Sequence, residues 1–393
     1  MKKSKAVVLT AIITFVSTIV VIGFIFLSGL PASTDDSVDI LASKVRILNN
    51  LINSKSIRDF DEQQAVENAL YAYVATLDDK YAQYFDKDYY SEYLNDLKGS
   101  HVGIGVTIKA SETAYVDESG LRILRVIGGS PAESAGLRTE DRITAVDGNA
   151  VGGKLYTDVY NSLLGEEGSV VDLTVLRDGK LLEFSVKRSS YVSRDVDYKM
   201  LDGDIGFIRI HQFSSETTFP QFEEALKDLI SQGAKGFIYD VRNNPGGDYS
   251  TVINMLNLLV DKDVLAVLSY KDSEKVEYST GNKITDLPSV VLINGSSASA
   301  AELFSSALRD LNSSPLIGTG SYGKGVGQEY VGMTDGSGVK LTTFTYTTKS
   351  RVNYDGVGLA PDYNVETDVN IYSADETTDA QLKKAIEVLK TLQ

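Results

Sequence analysis

Residues 289–310 read SVVLINGSSASAAELFSSALRD. The unbroken apolar run Val290–Ile293 is the pattern of a strand buried on both faces. A turn of small residues follows, and a helix starts at about Ala300, so the spacing predicts a strand–turn–helix unit of an α/β fold. Ser299 then stands at a helix N-terminus, where unpaired backbone N–H groups can hold a developing oxyanion. A serine there is also an ordinary N-cap, and Ser296, Ser297, Ser305 and Ser306 show how common serine is in this stretch. A hydroxyl nucleophile needs a base. Lys324 lies 25 residues further on, inside GTGSYGKGVGQ (318–328), and the only histidines are His101 and His211. A neutral lysine amine can serve as the base. Lowering its pKa from about 10.4 by ~3 units costs about 4 kcal/mol, which burial away from acids can impose.

The surrounding pattern is α/β. IGFIRIHQF (205–213) and GFIYDV (236–241) read as strands. Phe219, Phe222, Leu226, Leu229 and Ile230 line one helix face, Val252–Val260 forms another helix, and VKLTTFTYTT (339–348) is strand-like. Residues 379–392 form an amphipathic helix with Leu382, Ala385, Ile386 and Leu389 on one side. Such alternation predicts a mainly parallel sheet covered on both faces. Residues 100–190 instead alternate short strands (105–109, 121–127, 141–146, 170–176, 181–187) with helices at 131–135 and 156–164. Residues 41–98 carry apolar repeats at helical spacing, with Tyr81–Tyr93 read as helix packing, and 31–40 (PASTDDSVDI) reads as a linker.

Several motifs in fixed order resemble the carboxy-terminal processing, or tail-specific, proteases, which are Ser–Lys endopeptidases with a PDZ domain. They are GIGV (103–106), SPAESAGLRTEDRITAVDG (130–148), DVRNNPGG (240–247), SASAAE (297–302), GKGVGQ (323–328) and GVGLAPD (356–362). The resemblance runs from about Leu77 to the C-terminus, and LDDKYAQYFDKDYYSEY (77–93) is similar to the segment leading into the PDZ domain. It implies an exported serine endopeptidase in which Ser299 is the nucleophile, Lys324 the base and Gln328 the residue that orients the lysine. It also implies an oxyanion hole from the N–H of Ala300 with that of Gly246 or Gly247. Val102, Gly103, Ile104, Gly105 and Val106 would bind the terminal carboxylate of a substrate, which adds as a strand beside the domain's own. The implied partners are proteins or peptides with exposed C-terminal tails, with PDZ gating of activity and a homodimer through terminal helices. The domains become 1–30 membrane anchor, 31–98 linker and helices, 99–190 PDZ and 191–393 protease core. The chain departs from the family at Ala301 and Val241, both mild changes. In TTKSRVNYDGVGLAPD (347–362) it lacks the usual proline and glycine near Lys349 and Ser350, which shape the substrate groove.

Other readings are weaker. GTGSYGKG (318–325) nearly matches a phosphate loop, but Gly325 replaces the Ser/Thr that holds magnesium. A triad of His211, Asp240 and Ser299 lacks the G-x-S-x-G elbow. A catalytically inactive PDZ adaptor would need loss of Ser299 or Lys324, and both are present.

Composition sets the compartment. The formal charge of −16, from 38 basic and 54 acidic residues, argues against nucleic-acid binding. With no cysteine and two histidines, neither a disulfide nor a zinc site is expected, and no cofactor is implied. Lys2, Lys3 and Lys5 precede an uncharged, mostly apolar run from Ala6 to Leu30. As a helix that run would be roughly 37 Å long, against a ~30 Å hydrocarbon core. The expectation is an uncleaved, single-pass transmembrane helix with the remainder of the chain extracytoplasmic.

Overall fold

In the computed structural model the described residues are 36–109 and 114–393. They form two compact units, one of residues up to Ser91 with Gly327–Thr343, the other of Glu92–Val326 with Phe344–Gln393.

The second unit contains a six-stranded sheet in the spatial order Val196–Leu201, Ile205–Ile210, Gly236–Asp240, Ser289–Ile293, Leu316–Gly318, Tyr363–Asn364. The first pair is antiparallel and every other pair parallel. Successive residues of a strand point to opposite faces. Val291 and Ile293 therefore pack with the helices Thr218–Ser231, Tyr249–Asn257 and Ala300–Asn312, while Val290 and Leu292 pack with Ala380–Leu392. The helix expected at 252–260 lies three residues earlier, because Asp248 caps it: its carboxylate accepts from the Thr251 N–H at 2.7 Å. An antiparallel hairpin, Val264–Tyr270 with Glu274–Tyr278, was not legible. Its turn, Lys271-Asp272-Ser273, carries no glycine or Asn-Gly pair.

The same unit contains a second sheet, ordered Val106–Ile108, Leu121–Val126, Arg142–Val146, Val170–Arg177, Lys180–Lys187. The helices Pro131–Ala135 and Tyr156–Leu163 help close its core around Ile123, Ile143, Leu173 and Val175. The first of these helices has Ser130 as N-cap, proline in its first turn and Gly136 as a left-handed C-cap with φ 87°.

In the first unit the helix Asp36–Lys55 takes up the end of the expected 31–40 linker, and Glu62–Ala75 is a second helix. The tyrosine-rich stretch is not all helix. Gln83–Phe85 is a strand paired antiparallel with Gly338–Lys340, and it buries Tyr84 and Phe85 rather than leaving ring edges at the surface. Aromatic side chains suit a half-buried pleated surface.

The N-terminal transmembrane helix expected over residues 6–30 has to be removed from the fold description. Among the described residues no helix is long and apolar enough to cross a membrane, and residues 6–30 lie outside them.

Candidate active site

Two strand-end loops are laced together behind Ser299. Asn294 donates its side-chain amide to Asn243 Oδ1 at 2.8 Å and accepts the Asn243 N–H at 2.9 Å. The Ala298 N–H donates to the Asn244 carbonyl, and the fully buried Ser297 hydroxyl donates to the Val241 carbonyl at 2.7 Å. Ser297 is thus a structural hydroxyl. Ser299, half-buried, takes φ 54° and ψ −116°, a conformation that costs a non-glycine residue about 1–3 kcal/mol. It is a sharp strand-to-helix turn of a kind that can present a side chain to a reacting group, formed without the G-x-S-x-G sequence.

Glu302 holds that turn in place. It is fully buried, and its carboxylate accepts four donors. Oε2 takes the backbone N–H groups of Ser299 at 2.9 Å and Lys324 at 2.8 Å. Oε1 takes the Gly323 N–H at 2.7 Å and the Ser321 hydroxyl at 2.5 Å. One side chain therefore fastens the serine turn to the lysine loop. The N–H groups of Gly323 and Lys324, which a phosphate loop would offer to a nucleotide, are spent on it. Glu302 was missed in the sequence, although glutamate three residues after a serine is capping-box spacing. Glycines let the lysine loop pack closely: Gly323 has φ 88°, and a Cβ on it would come within 2.8 Å of the Gly358 nitrogen. Ser321 exchanges bonds with Leu359, which ties GVGLAPD to the same loop.

Gly246 abuts Ser299. A Cβ there would lie 2.8 Å from Ser299 Cβ and 3.0 Å from the Ala300 nitrogen, at φ 103°. Glycine thus keeps open the space in front of the first helical N–H. The Gly246 N–H itself donates to Asn244 Oδ1 at 2.8 Å. The ladder to Phe213 uses the Gly246 carbonyl and the Asp248 N–H, so the Gly247 N–H faces away from it. Gln328 lies on the strand Val326–Gly332, and its amide donates to Thr342 Oγ1 at 3.1 Å.

The histidine triad is not formed. Asp240 is buried between Arg209 and Arg242, with contacts of 2.8 Å to each. Burial would raise its pKa, but the Arg242 and Arg209 guanidiniums outweigh burial and hold it well below the usual carboxylate range. Arg242 continues to Asp379, the N-cap of the last helix. Asp240 and Arg242 brace the loop and do not serve His211. His211 instead places Nε2 2.7 Å from Asp197, with Nδ1 buried and unpartnered. Burial lowers its pKa to about 4, more than the Asp197 hydrogen bond raises it.

The unfolded chain, with His211 near its ordinary value of 6.5, therefore binds the proton first as the pH falls. The contribution is fully present above ~6.5 and is lost as pH drops toward ~4, an effect of the order of 3 kcal/mol. Urea denaturation at pH 7 and pH 4.5 is expected to show a smaller acid loss in His211→Gln than in the parent. An equal loss in both proteins would refute this assignment.

The GIGV segment sits at the edge of the second sheet. Its carbonyls turn inward: Ile104 accepts the Ala132 N–H at 2.8 Å and Gly105 accepts the Ile127 N–H at 3.0 Å. That second bond makes Val106 and Val126 a non-hydrogen-bonded pair, so the Val106 N–H and C=O face the open edge. Gly105 has φ 80°, and a Cβ on it would lie 2.2 Å from Ser130 Cβ. Ile104 is core, Gly103 has φ 155°, and Val102 is exposed.

The profile of peptidase family S41 matches residues 204–365, and that of the PDZ domain matches residues 102–187. The carboxy-terminal processing protease CtpA of Bacillus subtilis (strain 168) is 31% identical over 399 residues, covering 98% of this chain and 84% of that protein. The chain belongs to peptidase family S41. A CtpA-like serine protease of Staphylococcus aureus (strain N315) is 30% identical over 362 residues, covering 91% of this chain and 71% of the relative. Among solved structures, the photosystem II D1 C-terminal processing protease superposes with a TM-score of 0.54 at 26% identity, covering 84% of this chain and 92% of that one. This S41 peptidase is a serine protease of the C-terminal processing type with a PDZ domain.

Proposed function

We propose that Ser299 and Lys324 form the catalytic pair of this S41 peptidase and that its PDZ domain delivers substrate C-termini to them. The observation that carries the pair is the Glu302 carboxylate, whose Oε2 accepts the backbone N–H groups of both residues. In the proposed reaction Ser299 Oγ bonds to a peptide carbonyl carbon, and its proton passes to the neutral Lys324 amine. The N–H of Ala300 and that of Gly247, beside Gly246, hold the oxyanion. The C–N bond then breaks as Lys324 returns the proton to the leaving amine. Water attacks the resulting ester, gives a proton to Lys324, and Ser299 leaves with that proton. The cysteine-free composition favours an extracytoplasmic setting.

Tail capture rests on the open edge at Val106. Gating rests on the contacts between the PDZ domain and the core. The side-chain amide of Asn370 donates to the Leu124 carbonyl and to Glu140, Ser373 donates to Glu140, and Arg125 donates to the Arg194 carbonyl. These side-chain contacts are polar, and a tail that prefers a separated arrangement shifts the equilibrium by its differential affinity; about 100-fold differential binding supplies ~2.7 kcal/mol. The test is cleavage of a tail-less reporter peptide while a free C-terminal peptide is titrated. Stimulation by the free carboxylate, weakened on amidation, is the expected result. No cleavage of any tail-bearing peptide would end the functional reading, and competition without stimulation would end gating alone.

A further inference from the structure

The strand Gly338–Thr347 delivers Tyr346 to the reaction centre, and the reaction steps above give that residue no part. Tyr346 is 3% exposed and is paired through the strand ladder with Leu268, so its backbone is fixed. It holds the lysine loop at both of its ends. Its backbone N–H donates to the Gly325 carbonyl at 3.1 Å, and its phenol donates to the Lys324 carbonyl at 2.8 Å. The same phenol oxygen lies 3.4 Å from Ser299 Oγ. Among the described side chains, Tyr346 thus reaches the serine hydroxyl and the lysine peptide with a single atom.

A phenol has one proton, and a carbonyl can only accept. The phenol proton is shared: it goes chiefly to the Lys324 carbonyl at 2.8 Å, with Ser299 Oγ as a second, longer acceptor at 3.4 Å. Burial pushes the phenol's pKa up, with Ser299 opposing, so Tyr346 stays neutral and keeps its proton. It is therefore a poor base, and the proton of Ser299 still goes to Lys324 during attack. The ring is held edge-on by Tyr354, with centroids 6.1 Å apart, and is tilted against Phe344 at 6.3 Å.

We propose that Tyr346 is a positioning residue for both members of the catalytic pair, parking the Ser299 hydroxyl and fixing the Lys324 peptide on one phenol oxygen. The inference rests on the Ser299–Lys324 reading. It assigns the Tyr346 hydroxyl a role in the rate of attack and none in binding the substrate. Small errors in the placement of reacting groups can cost as much as ~10²-fold in rate.

The decisive variant is Tyr346→Phe in the full-length chain, which keeps the buried ring and removes only the hydroxyl. The expected result is a kcat lowered roughly 10- to 100-fold with KM within about twofold, and the same drop in the rate at which a fluorophosphonate labels Ser299. Replacing Tyr346 with 4-aminophenylalanine, which restores a donor to the Lys324 carbonyl, should recover part of the loss. A merely structural ring would not separate these two variants. A folded Tyr346→Phe with kcat within twofold of the parent overturns the proposal. If the phenylalanine variant does not fold, the 4-aminophenylalanine protein decides: turnover within about tenfold of the parent supports the role, and absence of turnover in folded protein refutes it. Labelling of Ser299→Ala by the same probe separates the two levels of the argument. If that variant is still labelled and active, the Ser299–Lys324 reading has failed, whatever Tyr346→Phe does.

Discussion

Ser299→Ala and Lys324→Ala are each expected to lower peptide turnover about 10⁴-fold or more while leaving the fold intact. Members of a nucleophile–base pair act as a unit, so the double variant should be little worse than either single one. A loss of that size corresponds to about 5.5 kcal/mol of transition-state stabilisation. The fold should tolerate both changes. Ser299 Oγ is linked to the protein through the 3.4 Å contact to Tyr346, and an alanine methyl fits the half-buried site. What anchors Lys324 to Glu302 is its backbone N–H, which alanine retains. Melting temperatures should therefore stay close to the parent's. His211→Gln, by contrast, should keep its turnover, because its ring faces Asp197 and the Asp240 carboxylate is already committed to Arg209 and Arg242. Steady-state assay of the purified proteins on one tail-bearing peptide checks all of these. Full turnover in either Ser299→Ala or Lys324→Ala would sink the mechanism.

The sequence made the second unit's architecture legible where burial and periodicity agree. Val290–Ile293 reads as a strand buried on both faces, and its residues alternate between two cores. Pro131 and Gly136 mark the ends of a short helix, and the structure starts it at Pro131, after the N-cap Ser130, and caps it at Gly136. Ser299 and Lys324 were nominated by motif. Legibility fails where a contact is made across the chain. Glu302 and Tyr346 carry no local mark of the bonds they make to the lysine loop: one looks like the end of a capping box, which it also is, the other like one more strand aromatic. Their partners lie 22 residues away in the loop at Lys324. The Asn244 side chain that accepts the Gly246 N–H, and so sets it apart from the Gly247 N–H, is likewise visible only in the fold. The hairpin at 264–278 was invisible for a different reason, since its turn lacks the residues that force a reversal.

Glu302→Gln is the second large effect, and it separates geometry from charge. The native carboxylate accepts two donors on each oxygen: Ser299 N–H and Lys324 N–H on one, Gly323 N–H and the Ser321 hydroxyl on the other. A glutamine has one carbonyl oxygen and one NH₂: turned one way its NH₂ faces the Gly323 N–H and a Ser321 hydroxyl that can rotate to accept, turned the other way it faces the Ser299 and Lys324 N–H groups, so at least one backbone donor is left without an acceptor. Each buried donor left without an acceptor costs about 1–3 kcal/mol. The variant should lose roughly 1–6 kcal/mol of stability and more than about 100-fold in kcat, because the strained turn at Ser299 and the loop at Lys324 lose a fully satisfied common anchor. If Glu302 acted only through its charge, the outcome would differ. A carboxylate near an amine favours the ammonium form, so removing the charge would make Lys324 easier to deprotonate and would move the pH–rate profile to lower pH at an unchanged plateau. Anchoring predicts the opposite pattern, a lowered plateau. The plateau of the pH–rate profile, measured beside the melting temperature, decides between them. An unaltered plateau with an unaltered melt would remove Glu302 from the machinery.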